Sequence, residues 1–156
     1  MFFTKLYLTF FYSGLSKKAS GTVGSIAALP FAYLTLFYLN QFYLIIFSLI
    51  IFFISIKIID NYEKIVKIHD SKEIVIDEVC GVFLAIGLSY NNHFWHFILA
   101  FILFRFFDIT KPSIIGKVDK KINGGLGVML DDLLAGFFAA MLCLIFQGLL
   151  KNMNLF

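Results

Sequence analysis

The chain is 156 residues long, 60% apolar and only 15% charged, with 21 phenylalanines and a formal net charge of +3. Soluble domains carry roughly 25% charged residues, so this composition points to a single membrane-embedded domain over residues 1–156. The basic residues form no dense stripe, which argues against a nucleic-acid partner, and Cys80 and Cys143 lie in apolar runs without a CxxC spacing or a histidine nearby, as small buried residues do.

In chain order, residues 1–20 open with Phe2, Phe3, Leu6, Leu8, Phe10 and Phe11 among Lys5, Lys17 and Lys18. A crossing helix needs about 20 apolar residues, so this piece reads as interfacial. Lys5 and the lack of a small-residue cleavage site argue against a signal peptide. The first spanning candidate runs from about Ser25 to Asn40, with Pro30 tolerated near its start. Asn40-Gln41 is a short turn, and the next apolar run covers Phe42 to Ile59. A polar segment, Asp60 to Glu73, leads into a third run from about Ile74 to Tyr90; a fourth covers Phe94 to Phe107 and a fifth Leu133 to Leu150. The expectation is an all-α, polytopic membrane protein of about five apolar helices, four to five of them spanning.

Charge sidedness follows. If the lysine-rich N-terminus is inside, every Lys and Arg except Lys151, and all ten acids, fall on one face of the membrane, which the positive-inside rule makes cytoplasmic. Tyr38, Tyr43, Tyr90 and Trp95 flank the two outer turns as an aromatic belt would.

Acidic pairs open the third and fifth runs: Asp77-Glu78-Val79-Cys80-Gly81 and Asp131-Asp132-Leu133-Leu134-Ala135-Gly136. Superposing Asp77 on Asp132 brings Gly81 onto Gly136 and Ala85 onto Ala140, one helical stripe of carboxylate, glycine and alanine at four-residue spacing. Small stripes let membrane helices approach closely, which would set the carboxylates face to face. Crowded like charges repel, and a divalent cation resolves that conflict. Oxygen ligands without His or Cys favour magnesium, calcium or manganese over zinc. The plainer alternative is that the acids serve as helix N-caps.

Arg105, Asp108 and Lys111 are spaced three apart at a helix end that Pro112 stops. Arg suits bidentate phosphate contact and Lys point-charge contact; anchoring to anionic headgroups is the alternative. Ser20-Gly21-Thr22-Val23-Gly24-Ser25 precedes the first helix and could present amides to an anion, or serve as an ordinary cap, and it lacks the Lys-Ser/Thr ending of a nucleotide P-loop. Lys117, Lys120 and Lys121 with Asp119 read as a solvated connector. His69, His93 and His96 receive no role.

Four pieces in order carry a resemblance that covers most of the chain: Gly21-Thr22-Val23-Gly24-Ser25; Asp77-Glu78-Val79-Cys80-Gly81; Phe104 to Pro112 around Arg105, Asp108 and Lys111; and Gly125 to Gly136 around Asp131-Asp132. Together they resemble the phosphatidylglycerophosphatase A enzymes of bacterial membranes. Ile114 stands where the family often has a second proline, and Asn123 where it often has a histidine; both departures fall in the connector. The resemblance implies magnesium-dependent removal of the terminal phosphate of phosphatidylglycerophosphate, giving phosphatidylglycerol in phospholipid biosynthesis. The active site would face the cytoplasm at the bacterial inner membrane.

On that reading Asp77, Glu78, Asp131 and Asp132 hold Mg²⁺, with Asp108 as a further ligand or the base. Arg105 and Lys111 clamp phosphate oxygens, and Gly21, Thr22, Gly24 and Ser25 supply amide or hydroxyl contacts. In-line attack by activated water is the first expectation, an aspartyl-phosphate the alternative. Two other classes stay open. A divalent-cation transporter or channel would need a polar path outward, yet Asp and Glu are absent from the outer halves of the runs. A non-catalytic membrane assembly protein needs neither the Arg-Asp-Lys triplet nor duplicated acids.

Overall fold

The computed structural model describes residues 1–67, 71–91, 93–112 and 114–152, without the side chains of Asp119, Lys120 and Asn152. Among the described residues there are seven α-helices and no strand: α1 (Phe2–Leu8), α2 (Ser20–Tyr38), α3 (Gln41–Val66), α4 (Ile76–Ser89), α5 (Phe94–Thr110), α6 (Ile114–Lys121) and α7 (Gly125–Asn152), with a 3₁₀ turn at Ser13–Leu15. Three are long and apolar enough to cross a membrane: α2, α3 and α7. The third and fourth apolar runs form the shorter α4 and α5, of 14 and 17 residues. The outward faces are apolar, with Phe37, Phe53 and Ile145 each more than half exposed, a surface suited to lipid rather than water.

The bundle is built around α4, which packs against α2, α3, α5 and α7. All its residues but Glu78 and Leu88 are buried, as a helix that is hydrophobic all round must be. Its small residues make this possible. A Cβ on Gly81 would lie 2.6 Å from the backbone oxygen of Asp132, and one on Gly136 would strike the backbone oxygen of Gly81. Helices α4 and α7 therefore run side by side in parallel, touching backbone to backbone one turn beyond their acids. At the far end Gln147 Nε2 donates to the Ser89 carbonyl at 2.7 Å, and on the other side Ser48 Oγ of α3 donates to the Cys80 carbonyl at 2.8 Å.

Helix limits differ from the sequence expectation in ways that matter for the site. Helix α2 starts at Ser20, so Gly21–Ser25 is its first turn and a little more, not a preceding loop; Ser25 Oγ donates to the Gly21 carbonyl at 2.7 Å, a helical bond. Helix α3 continues through the polar residues after Ile59 to Val66. Helix α7 starts at Gly125, because Asp60 Oδ1 of α3 accepts from Gly125 N at 2.6 Å and caps it. Asp131 and Asp132 thus lie nearly two turns inside the helix rather than opening it. The connector holds α6, whose Ile115 is buried, where only a solvated strand of chain was expected. His69 lies outside the described residues.

Candidate active site

The first turn of α4 and the second turn of α7 deliver three acids to one point. One oxygen from each of Asp77, Glu78 and Asp132 lies within 4.8 Å of the others. Asp77 and Asp132 are 8% and 4% exposed, and Glu78 Oε2 is buried without a hydrogen-bond partner among the described residues. Charged oxygens this close are tolerable when a cation shares them. The donor set is all oxygen, so the residues fit a hard divalent ion such as Mg²⁺. The close approach at Gly81 and Gly136 sets this register.

Arg105 of α5 reaches across to α2. Its Nη2 donates to Thr22 Oγ1 and its Nη1 to Ser25 Oγ, each at 3.0 Å, and Nη1 is also ion-paired with Asp108. Arg105 Nε is a buried donor with no acceptor among the described residues. A Cβ at Gly21 would collide with Glu78 Oε1 and sit 3.7 Å from Arg105 Nη1, so a larger residue there would push the Glu78 carboxylate aside. Lys111 lies just past the end of α5 in the left-handed region (φ 40) and pairs through Nζ with Asp131 Oδ2 at 2.5 Å.

Asp77, Glu78, Asp108, Lys111, Asp131 and Asp132 line a cleft of about 210 Å³, and Arg105 stands beside it, paired with Asp108. Ser20, the first residue of the stretch read as able to meet an anion, also lines the cleft, as do Ser71 and Lys72, which the sequence reading missed. Ser71 and Lys72 belong to a polar segment in which no spacing distinguishes one residue from the next. Asp131 lines the same cleft but is outside the three-residue oxygen group, its Oδ2 paired with Lys111 Nζ. Gly24 faces Val75, whose Cβ a Cβ at 24 would meet at 2.5 Å, so it packs α2 onto the start of α4. Thr22 and Ser25 hold the guanidinium rather than presenting free hydroxyls. His93 and His96 lie at the opposite end, beside Trp95 and Gln147.

An α-helical membrane-type bundle with a buried carboxylate group, an anchored guanidinium and a headgroup-sized cleft at one end defines a class: proteins that handle phosphate at a lipid surface. The comparisons give the particular family. The family model described as Phosphatidylglycerophosphatase A matches residues 6–147, and the chain belongs to that family. It is 37% identical over 131 residues to the phosphatidylglycerophosphatase A of Escherichia coli, covering 83% of this chain and 75% of that one. It is 36% identical over 138 residues to the protein of the same name from Haemophilus influenzae, covering 88% and 84%. A Bacteroides thetaiotaomicron protein, provisionally named a phosphatidylinositol-3-phosphatase, is 33% identical over 140 residues, covering 86% and 87%. No solved structure matches the chain.

Proposed function

We propose that this chain hydrolyses phosphatidylglycerophosphate to phosphatidylglycerol and phosphate, with Mg²⁺ held by Asp77, Glu78 and Asp132. The observation that carries the reading is Arg105, drawn from α5 onto the hydroxyls of α2 beside acids from α4 and α7. Family membership supports the activity. A divalent cation bound there supplies Lewis-acid stabilisation of the phosphoryl oxygens and a more acidic water. Arg105 orients the phosphate with its fixed fork of donors, and Lys111 offers a point charge at the cleft wall. Asp108, lining the cleft and steadied by Arg105, takes the proton of the attacking water.

The cleft's volume, about 210 Å³, is below the roughly 300–1,000 Å³ of pockets for drug-sized ligands. It suits a headgroup whose tails stay in lipid. The acids and most lysines at one end support placing the site on the cytoplasmic face of the bacterial inner membrane. Helices α4 and α5 join α2, α3 and α7 as the shorter members of a five-helix membrane domain. At 1.5 Å per residue α4 rises only about 21 Å, which is workable because protein, not lipid, surrounds it.

The test is phosphate release from phosphatidylglycerophosphate by the purified protein in detergent, with Mg²⁺ or with a chelator, and with phosphatidylinositol 3-phosphate as a second substrate. Release that needs Mg²⁺ and favours phosphatidylglycerophosphate supports the reading. Full turnover by folded Asp77→Ala and Asp132→Ala variants refutes the site, and divalent-ion flux into vesicles without phosphate release points to a transporter instead.

A further inference from the structure

Beside the polar cleft lies a groove of opposite character. On α5, Phe107 is one turn before Lys111; on α7, Phe138 is two turns beyond Asp131. Phe138 therefore lies on the same face of α7 as Asp131, about 10 Å further along the helix, and Phe107 lies in the last turn of α5 before the Lys111 cap. The rings are 6.2 Å apart. With Pro112, Ile114 and Ile115 they line a groove of about 250 Å³ whose walls are carbon. The two spaces adjoin along the chain: Asp108, Lys111 and Asp131 line the cleft, while Phe107 and Pro112, flanking Asp108 and Lys111, line the groove. Ile115, 1% exposed, closes the groove behind, and Ile114, 54% exposed, leaves it open to the outside.

A phosphate in the cleft of a lipid phosphatase is tethered to acyl chains that must leave it toward the membrane interior. We infer that the groove between α5 and α7 seats the first methylenes of one acyl chain of the lipid substrate, and that the Lys111–Asp131 pair marks the boundary between headgroup and chain. This rests on the lipid-phosphatase reading. Charged or hydrogen-bonding ligands gain nothing from these walls, whereas a chain gains close packing. A second apolar groove, of about 380 Å³ between α1, α3 and Ile76, is less well placed. It shares no lining residue with the cleft, and beside it Leu8 and Val75, both buried, are joined by Val75 N donating to the Leu8 carbonyl at 2.9 Å.

The test uses Ile114→Trp, which fills the groove from its exposed side without touching the cleft, and Ile51→Trp, which fills the other groove. Each is assayed with dioleoyl-phosphatidylglycerophosphate in mixed micelles and with the water-soluble deacylated headgroup, glycerophosphoglycerophosphate. For Ile114→Trp the KM for the dioleoyl lipid should rise about tenfold, the lower end of what misplaced methylenes cost in an apolar pocket. Its kcat/KM for the deacylated headgroup, which has no chain to seat, should stay within about twofold of wild type. No change with either substrate, an equal loss with both, or a chain-dependent loss in Ile51→Trp alone each overturns the inference. A dioleoyl analogue carrying a photoreactive diazirine near the first chain carbons provides a readout independent of turnover. Adducts on Phe107, Ile114 or Phe138 of the wild-type protein support the groove, and adducts on α1 or Ile51 overturn it. If the wild type releases no phosphate from either substrate, the phosphatase reading fails by itself while the cross-link still decides the groove.

Discussion

Gly81→Ala tests the contact that sets the whole site. Its new Cβ would sit 2.6 Å from the backbone oxygen of Asp132, against 3.4 Å or more for an ordinary contact, and would also strike the ring of Phe104. Neither neighbour is a yielding chain end, since one is helix backbone and the other a ring with 0% exposure. Helices α4 and α7 must therefore part by about 0.8 Å, at an overpacking cost of about 1–3 kcal/mol. The displaced atom belongs to Asp132 itself, so its carboxylate moves relative to Asp77 and Glu78. A misplacement of about 1 Å costs on the order of 100-fold in rate. The expected result is a kcat/KM for phosphatidylglycerophosphate lowered by about two orders of magnitude, with a Tm lower by roughly 3–9 °C for a chain this size. The control is Gly148→Ala, where a Cβ meets nothing within 4 Å. It should keep full activity and, by helix propensity, gain about 0.5–1 kcal/mol. Phosphate release and a thermal melt in the same detergent read both variants. A Gly81→Ala protein with wild-type turnover and Tm would refute the claim that backbone contact sets the spacing of the acids.

Glu78→Gln should raise the Mg²⁺ concentration for half-maximal phosphate release about 10- to 100-fold, and Mn²⁺ binding followed by electron paramagnetic resonance should weaken in parallel. In chelator the same variant should melt no lower than wild type, because one of three crowded acids can no longer ionise; a lower melt would count against like-charge repulsion there. Arg105→Lys keeps the charge but cannot reach Thr22, Ser25 and a phosphate together, so kcat should fall on the order of 100-fold with the fold intact by circular dichroism. Asp60→Ala removes the cap on α7 and should cost about 1 kcal/mol in a denaturant titration, with kcat reduced less than tenfold.

The parts of the site carried by charge are readable in the sequence because charge is scarce there. With 15% charged residues, Asp77, Glu78, Arg105, Asp108, Lys111, Asp131 and Asp132 stand out, and the four-residue stripe from Asp132 to Gly136 to Ala140 implies the contact with α4 that the bundle makes. Contacts between elements distant in sequence are not readable in this way. Nothing local marks Asp60 as the cap of α7, because its partner Gly125 lies 65 residues on and belongs to another helix. The same holds for Gly21 and Gly24. Two glycines near a helix start suggest a loop around an anion, yet both lie inside α2, Gly24 packed on the Val75 Cβ and Gly21 facing the Glu78 carboxylate. Helix lengths fail for a related reason. Apolar runs mark what lies in lipid or in the core, whereas α3 continues past its run through Asp60 to Val66, and α7 begins about two turns before Leu133, at Gly125, where Asp60 of α3 caps it.

The way Arg105 is held bears on how the site can work. A guanidinium surrounded only by carboxylates would be fully neutralised and would have little attraction left for a phosphate dianion. Here two of its contacts are neutral hydroxyls, Thr22 and Ser25, and one is a carboxylate, Asp108. The hydroxyls fix the plane of the fork without cancelling its charge, and they keep it from collapsing onto Asp77, Glu78 and Asp132. Ser25 is itself held, donating to the Gly21 carbonyl one helical turn back, so the orientation is set by helix α2 rather than by a mobile side chain. The arginine thereby stays beside the group of Asp77, Glu78 and Asp132, paired with the cleft residue Asp108. A phosphate monoester can then place some oxygens against the arginine and others against a cation held by the acids, and the pull from both sides is what in-line displacement at phosphorus requires.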